Sequence, residues 1–172
     1  MPTIGVAIAL PEPWAGVLQQ YRASFGDPAA DAIPTHLTLV PPTQVSAPQS
    51  ELAAHLCGVA SRHAPFWLRL RGTATFRPIS PVVFVAVSEG ISSCEMLAEA
   101  VRHGALEQEP AYPYHPHVTV AHHLDEAALD DAYETLRDFE ASFEVTEFQL
   151  YIHGDDGVWR PVRTFDLGTP TD

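Results

Sequence analysis

The sequence predicts a mixed strand-and-helix fold built as two related lobes. Three observations carry that prediction. Apolar periodicity switches repeatedly between two and about 3.6 residues, in the order strand, helix, strand, helix, strand, strand, helix, strand, helix, strand, strand. A His-x-Thr triplet with apolar residues at the intervening positions occurs twice, in "PTHLTLVPP" (34–42) and "HPHVTVAHH" (115–123). Its histidines, His36 and His117, stand 81 positions apart, and each copy follows a helix and a loop and precedes another helix. A duplicated lobe with pseudo-twofold symmetry explains this order economically and would make the two motifs face each other across a cleft.

The elements follow in chain order. From Thr3 to Leu10, Ile4, Val6, Ile8 and Leu10 alternate with Gly5, Ala7 and Ala9, which predicts a strand with one bulky face and one small face. A small face admits the close approach of another element or a ligand. Trp14, Val17, Leu18, Tyr21 and Phe25 recur at helical spacing, with Pro13 suited to a first turn. A loop over 26–34 delivers the first His-x-Thr strand, which "PPT" is expected to stop. A helix over about 50–63 is expected next, capped by Ser50 and packed through Leu52, Leu56, Val59 and Ala60.

Over 66–76, Phe66, Leu68, Leu70, Ala74 and Phe76 form an apolar face opposite Trp67, Arg69, Arg71, Thr73 and Thr75. "VVFVAV" (82–87) is aliphatic on both faces and reads as a central strand. "SSCE" (92–95) resembles a capping box for a helix carried by Leu97, Ala100 and Val101. After the second His-x-Thr strand, "DEAALDDAYETLRDF" places Leu129, Ala132, Tyr133, Leu136 and Phe139 on one stripe. Two strands, 143–153 and 158–167, close the chain around the hairpin signal "HGDDG".

At 172 residues the chain suits one domain or two intimately packed lobes. The opening "MPTIGVAIALPEP" lacks a basic segment before its apolar stretch, and no apolar run reaches the length of a membrane helix, so a cytoplasmic protein without membrane contact is expected. Cys57 and Cys94 read as two buried free thiols in helices. The net charge is −13 and all nine basic residues are Arg. Such a surface repels polyanions and lacks the basic patch that tracks extended nucleic acid, so a phosphate ligand should be small or held by a few Arg.

In a strand, His36 and Thr38 share one face and Leu37 and Leu39 the other; His117 and Thr119 stand opposite Val118 and Val120 in the same way. Composition alone predicts about 0.6 His-x-Thr triplets, and with both apolar conditions the probability of two copies falls to about 0.01. Each His taken singly also reads as an ordinary polar residue on a half-exposed strand. Taken together, a facing pair of imidazoles supplies a general base and a general acid, one neutral and one protonated near pH 6.5. Two Thr hydroxyls beside them suit the non-bridging oxygens of a phosphoryl transition state. The set therefore fits in-line displacement at a phosphodiester without metal.

No His-Glu-x-x-His signature, phosphate-cradling Gly loop, nucleophile elbow or dinucleotide fingerprint is present, and neither a metal nor a cofactor is expected. His115, His117, His122 and His123 are dense enough for adventitious metal binding, and a metal-dependent hydrolase stays an alternative. His55, His63 and His103 read as helix-surface residues.

At "HLTLVPP" and "PHVTVAHH" the sequence resembles the 2H phosphoesterase superfamily, in particular its 2′-5′ RNA ligase and cyclic phosphodiesterase branch; "FRPISPVVFVAV" resembles that family's loop leading into a central strand. The resemblance spans essentially the whole chain, with the two tetrapeptides as its specific part. It implies a bilobal, duplicated α+β fold in which two mostly antiparallel sheets line a central cleft with helices packed outside. It also implies hydrolysis of 2′,3′-cyclic phosphates or related phosphodiesters without metal, with His36 and His117 as the acid–base pair and Thr38 and Thr119 on phosphate oxygens.

Three further residues are candidates for substrate contact. Arg77 is placed either to neutralise phosphate or as a solvated loop charge. Tyr114, with Tyr112, is placed either to stack on a base or to pack a turn. His153, at the last turn, is placed to reach the cleft mouth. The expected partner is a small nucleotide or an RNA-terminal phosphodiester, bound by a monomer; the acidity and absence of Lys disfavour large RNA substrates and ligation. A non-catalytic nucleotide or phosphometabolite binding module using the same cleft is the competing class.

Overall fold

The computed structural model describes residues 1–107 and 112–168. Its strands and helices follow in the order β1 (Thr3–Ala9), α1 (Trp14–Ser24), β2 (His36–Gln44), α2 (Gln49–Ser61), β3 (Phe66–Thr75), β4 (Val82–Glu89), α3 (Ile91–Arg102), β5 (His117–His122), α4 (Glu126–Thr135), β6 (Glu140–Val145), β7 (Glu147–His153) and β8 (Trp159–Asp166). Short 3-10 turns at Pro28–Asp31 and Gly104–Leu106 precede β2 and β5. The alternation in β1 is realised in space: Ile4, Val6 and Ile8 enter the core, and Gly5, Ala7 and Ala9 form a low opposite face.

Two four-stranded antiparallel sheets result, in the orders β2-β1-β7-β8 and β5-β4-β3-β6, so the fold is α+β. The unit strand, helix, 3-10 turn, strand occurs twice, as β1 to β2 and as β4 to β5, and each unit closes as an antiparallel pair with its motif strand on the sheet edge. The connecting helices are exchanged. α1 packs against β5 and α3 against β2, while β2 and β5 also meet each other. The separation of the two motif strands is thereby set by both units at once.

Several boundaries differ from the sequence expectation. "PPT" does not stop β2, which runs on through exposed Pro41 and Pro42; a sheet edge tolerates residues that lack a donor N–H. The expected strand 143–153 is two strands in different sheets. Ala141, Phe143 and Val145 are buried, but so are Phe148 and Leu150, so the alternation changes parity at Thr146, where the chain passes between sheets.

α2 starts at Gln49 after Pro48, which places Ser50 inside its first turn. α3 starts at Ile91 and not at the "SSCE" box. Gly90 makes that corner with φ +96°, and a Cβ there would lie 2.7 Å from the Trp67 carbonyl oxygen, so only glycine fits. Cys94 is buried as expected, whereas Cys57 is exposed on α2. His55 is also more than a surface residue, since its Nε2 bonds the Val101 carbonyl at 2.9 Å and ties α2 to α3.

Candidate active site

Both motif strands carry the same irregularity. In β2, Thr38 stands opposite Ala7 and Val40 opposite Val6, leaving Leu39 as an extra residue. In β5, Thr119 stands opposite Phe84 and Ala121 opposite Val83, leaving Val120 extra. A bulge directly after each Thr therefore lets two consecutive apolar residues enter the core: Leu39 and Val40 in one copy, Val120 and Ala121 in the other. His36, Thr38, His117 and Thr119 are all half-buried on the opposite face. After its bulge β5 also returns His122 to that face, opposite Val82.

The imidazoles are held alike. His36 Nδ1 lies 2.8 Å from the Pro34 carbonyl oxygen and His117 Nδ1 lies 2.7 Å from that of His115. A carbonyl only accepts, so in each ring Nδ1 carries the proton and the neutral tautomer leaves Nε2 as a free acceptor. Burial pulls the pKa of His36 down from 6.5 to about 4; the bond to Pro34 works against this, and the charges of Arg22 and His117 add to it. Burial also lowers His117, offset by its bond to His115 and helped by the His115 charge. Both shifts favour the neutral imidazole.

Two hydrogen bonds tie the halves together beside these rings. The Tyr114 hydroxyl donates to the Thr38 carbonyl oxygen at 2.9 Å. On the other side, the His122 backbone N–H donates to Asp27 Oδ2 at 3.0 Å. Asp27 also accepts from the Ala29 N–H at 2.9 Å and from Arg22 Nε at 2.8 Å, forming a buried ion pair whose partners are 8% and 4% exposed. Sequence reasoning missed Arg22 and Asp27, and named His122 only for adventitious metal binding. For Asp27 a signal existed, since Asp before Pro at the start of a helical turn is a capping pattern.

The cleft walls are unequal. Beside His36 and Thr38 lies a recess floored by Gly5 and Ala7 and lined by Tyr151 and Trp159. Trp159 is held by its backbone N–H, which donates to the Ala32 carbonyl at 2.8 Å, and its ring meets His153 at 4.7 Å between centroids. His153 thus stands next to a wall of the recess, and Trp159 is a further residue that the sequence reading missed. Beside His117 the corresponding space is filled. Phe76 and Phe84 lie 4.4 Å apart, and each packs on His115 and His117. Phe76 was expected in the core, but the register shift between Leu70 and Thr73 reverses the faces of β3.

Tyr114 is half-buried, with Arg102 5.5 Å from its ring centroid and its hydroxyl occupied by Thr38. Arg77 is engaged with α4: its Nη1 bonds Glu126 at 3.0 Å and Asp130 at 2.9 Å, and its Nε bonds Thr75 Oγ1 at 3.1 Å. Two carboxylates thus already neutralise the guanidinium charge. Among the described residues, no three His, Cys, Asp or Glu side chains converge as a metal site, and no helix is long and apolar enough to cross a membrane.

Comparison with known proteins agrees with this architecture. A Bacillus licheniformis protein named "Putative phosphoesterase" is 33% identical over 155 residues, 88% of this chain and 90% of its own. The crystal structure of E. coli LigT complexed with NADP+ superposes with a TM-score of 0.69 at 26% identity, covering 98% of both chains. That of LigT complexed with 3′-AMP gives 0.68 at 25% identity, covering 97% of this chain and 99% of the other. Residues 10–157 match the 2′-5′ RNA ligase superfamily, and the chain, with its two His-x-Thr strands on facing sheet edges, belongs to that family.

Proposed function

We propose that the protein is a metal-independent phosphodiesterase that opens 2′,3′-cyclic phosphates of nucleotides or RNA termini to 2′-phosphates. The observation that carries the reading is the matched placement of His36 and His117. Each ring is oriented by a carbonyl on Nδ1, and each presents an unprotonated Nε2 beside a threonine hydroxyl on the same strand face. Solved relatives holding 3′-AMP and NADP+ support a nucleotide as the substrate class.

In this reaction one Nε2 takes a proton from water as the water oxygen attacks phosphorus. The bond from phosphorus to the ribose 3′ oxygen breaks, and the other imidazole gives its proton to that oxygen. The bound phosphodiester anion offsets the burial that disfavours imidazolium, so the acid gains its proton when substrate occupies the cleft. Thr38 and Thr119 donate to the non-bridging oxygens as their charge grows. The orientation of the substrate decides which histidine serves as base.

Chelator-treated protein should convert 2′,3′-cyclic nucleotides mainly to 2′-phosphates. His36→Ala or His117→Ala should each lower the rate by about 10²-fold to 10⁴-fold, and the Thr→Ala variants by less. Equal background rates for wild type and the double His variant across cyclic and linear phosphodiesters would sink the proposal. Tight nucleotide binding without turnover would point to a binding module, and activity lost to chelator would point to a metal-dependent hydrolase.

A further inference from the structure

Burial disfavours the charged form of both motif imidazoles, and the guanidinium of Arg77 is already matched by two carboxylates, so none of them supplies a standing positive charge for a phosphate. One other cation is placed to do so. Among the described residues Arg22 is the one buried Arg, with a side chain 9% exposed. Its helix, α1, belongs to the first unit but packs on β5 of the second, where β2 and β5 meet. Asp27 Oδ2 fixes it there, accepting from Arg22 Nε at 2.8 Å and from the His122 backbone N–H at 3.0 Å.

This clamp uses only the Nε donor of the guanidinium. Nη1 and Nη2 have no hydrogen-bond partner among the described residues, yet no enclosed side-chain nitrogen there lacks one, so both Nη groups reach water. The Arg22 charge acts on His36 of β2 and on His122 of β5, both on the cleft face, and at His36 it outweighs that of the facing His117. Asp27 acts on His122 but is not among the influences on His36, so on the cleft side the guanidinium charge prevails. The corresponding helix α3 ends differently. Arg102 Nε bonds the Ala98 carbonyl of its own helix at 3.2 Å, and its guanidinium covers the Tyr114 ring.

We propose that Arg22 anchors the phosphate of the substrate: Asp27 holds Nε, and the two Nη groups donate to non-bridging oxygens of the phosphodiester beside His36. A planar fork suits two such oxygens, and enclosure makes a charge-assisted bond stronger than one at the surface. The assignment rests on the phosphodiesterase reading and deepens it, adding a cation to the two His and two Thr. It also explains how a Lys-free chain of net charge −13 takes a phosphate. Recognition is by one enclosed guanidinium and not by a basic patch, which suits a small or terminal phosphodiester better than an extended polyanion.

Calorimetry with inorganic phosphate, read beside urea midpoints, tests this on wild type, Arg22→Gln, Asp27→Asn and the double variant Arg22→Met/Asp27→Asn. Wild type should bind phosphate. Arg22→Gln should weaken that binding about tenfold to a hundredfold and raise KM for a 2′,3′-cyclic nucleotide by a similar factor. Asp27→Asn keeps an oxygen acceptor for Nε and removes the opposing charge, so it should lower the midpoint without weakening phosphate binding. The double variant removes both buried charges. It should bind phosphate as poorly as Arg22→Gln, and it decides the matter where Arg22→Gln fails to fold.

Phosphate bound as tightly by folded Arg22→Gln, or by the double variant, as by wild type would overturn the anchor and leave the phosphodiesterase reading intact. So would equal losses of affinity in Arg22→Gln and Asp27→Asn, which mark a purely structural pair. Phosphate binding that depends on Arg22, in a protein that turns over no cyclic phosphate, would uphold the anchor and remove the phosphodiesterase reading. A wild type that neither binds phosphate nor turns over a cyclic phosphate would remove both.

Discussion

The Tyr114 hydroxyl donates to the Thr38 carbonyl oxygen at 2.9 Å, joining the segment that leads into the second motif to the strand that carries the first. The relation is cross-wise, since a residue three positions before His117 braces the backbone beside His36. Tyr114→Phe keeps the ring and removes only this bond, so it should lower the unfolding free energy by about 0.5–1.5 kcal/mol. Urea denaturation checks the magnitude. An unchanged midpoint would mean that the bond does not brace the cleft.

Asp27 performs the matching task on the other side. Asp27→Ala removes the acceptor of two backbone N–H groups and strands the buried Arg22 guanidinium, which should cost about 3–5 kcal/mol. Asp27→Asn retains one carbonyl acceptor and should cost less. Denaturation midpoints of the two variants test that order.

Acid should destabilise the fold through His36. Its folded-state pKa, about 4, lies below the ordinary 6.5, so between those values the unfolded chain takes a proton that the folded chain refuses. Stability from this site is full above pH 6.5, declines as pH falls toward 4, and levels off once the folded ring is also protonated. His117 and His122 shift in the same direction and add to the decline. His36→Phe should flatten part of the midpoint-against-pH curve, and a curve of unchanged slope would count against a buried neutral imidazole.

Arg77 should matter more for holding α4 than for phosphate. Its partners Glu126 and Asp130 have side chains 80% and 68% exposed, so Arg77→Gln should cost no more than about 1 kcal/mol, an effect that shrinks as salt rises. KM for a cyclic nucleotide should stay within about threefold of wild type. A much larger rise in KM would place the guanidinium on the substrate.

Much of the site was legible because it depends on neighbours along the chain. The alternation His36-Leu37-Thr38-Leu39 and its copy at His117-Val118-Thr119-Val120 assign polar and apolar faces whatever the strands pair with. The repeated order of helix and loop before each copy made facing lobes the economical arrangement. Even the passage of the chain from β6 to β7 left a mark, in the three-residue step from Val145 to Phe148 that breaks a two-residue period.

What the tertiary structure decided lies between residues far apart in sequence. Asp27 meets the His122 N–H across 95 positions, and Trp159 comes to stand over Gly5 because β7 pairs with β1 and carries the last hairpin with it. The pKa of His36 belongs to the same class, since burial is a property of the assembled cleft and not of the tetrapeptide. By itself the sequence determined the two sets of His and Thr and the strand faces that present them, because strand periodicity is local. The open wall beside His36 and the filled wall beside His117 were decided by packing, because the space beside a side chain depends on which distant residues the topology brings there.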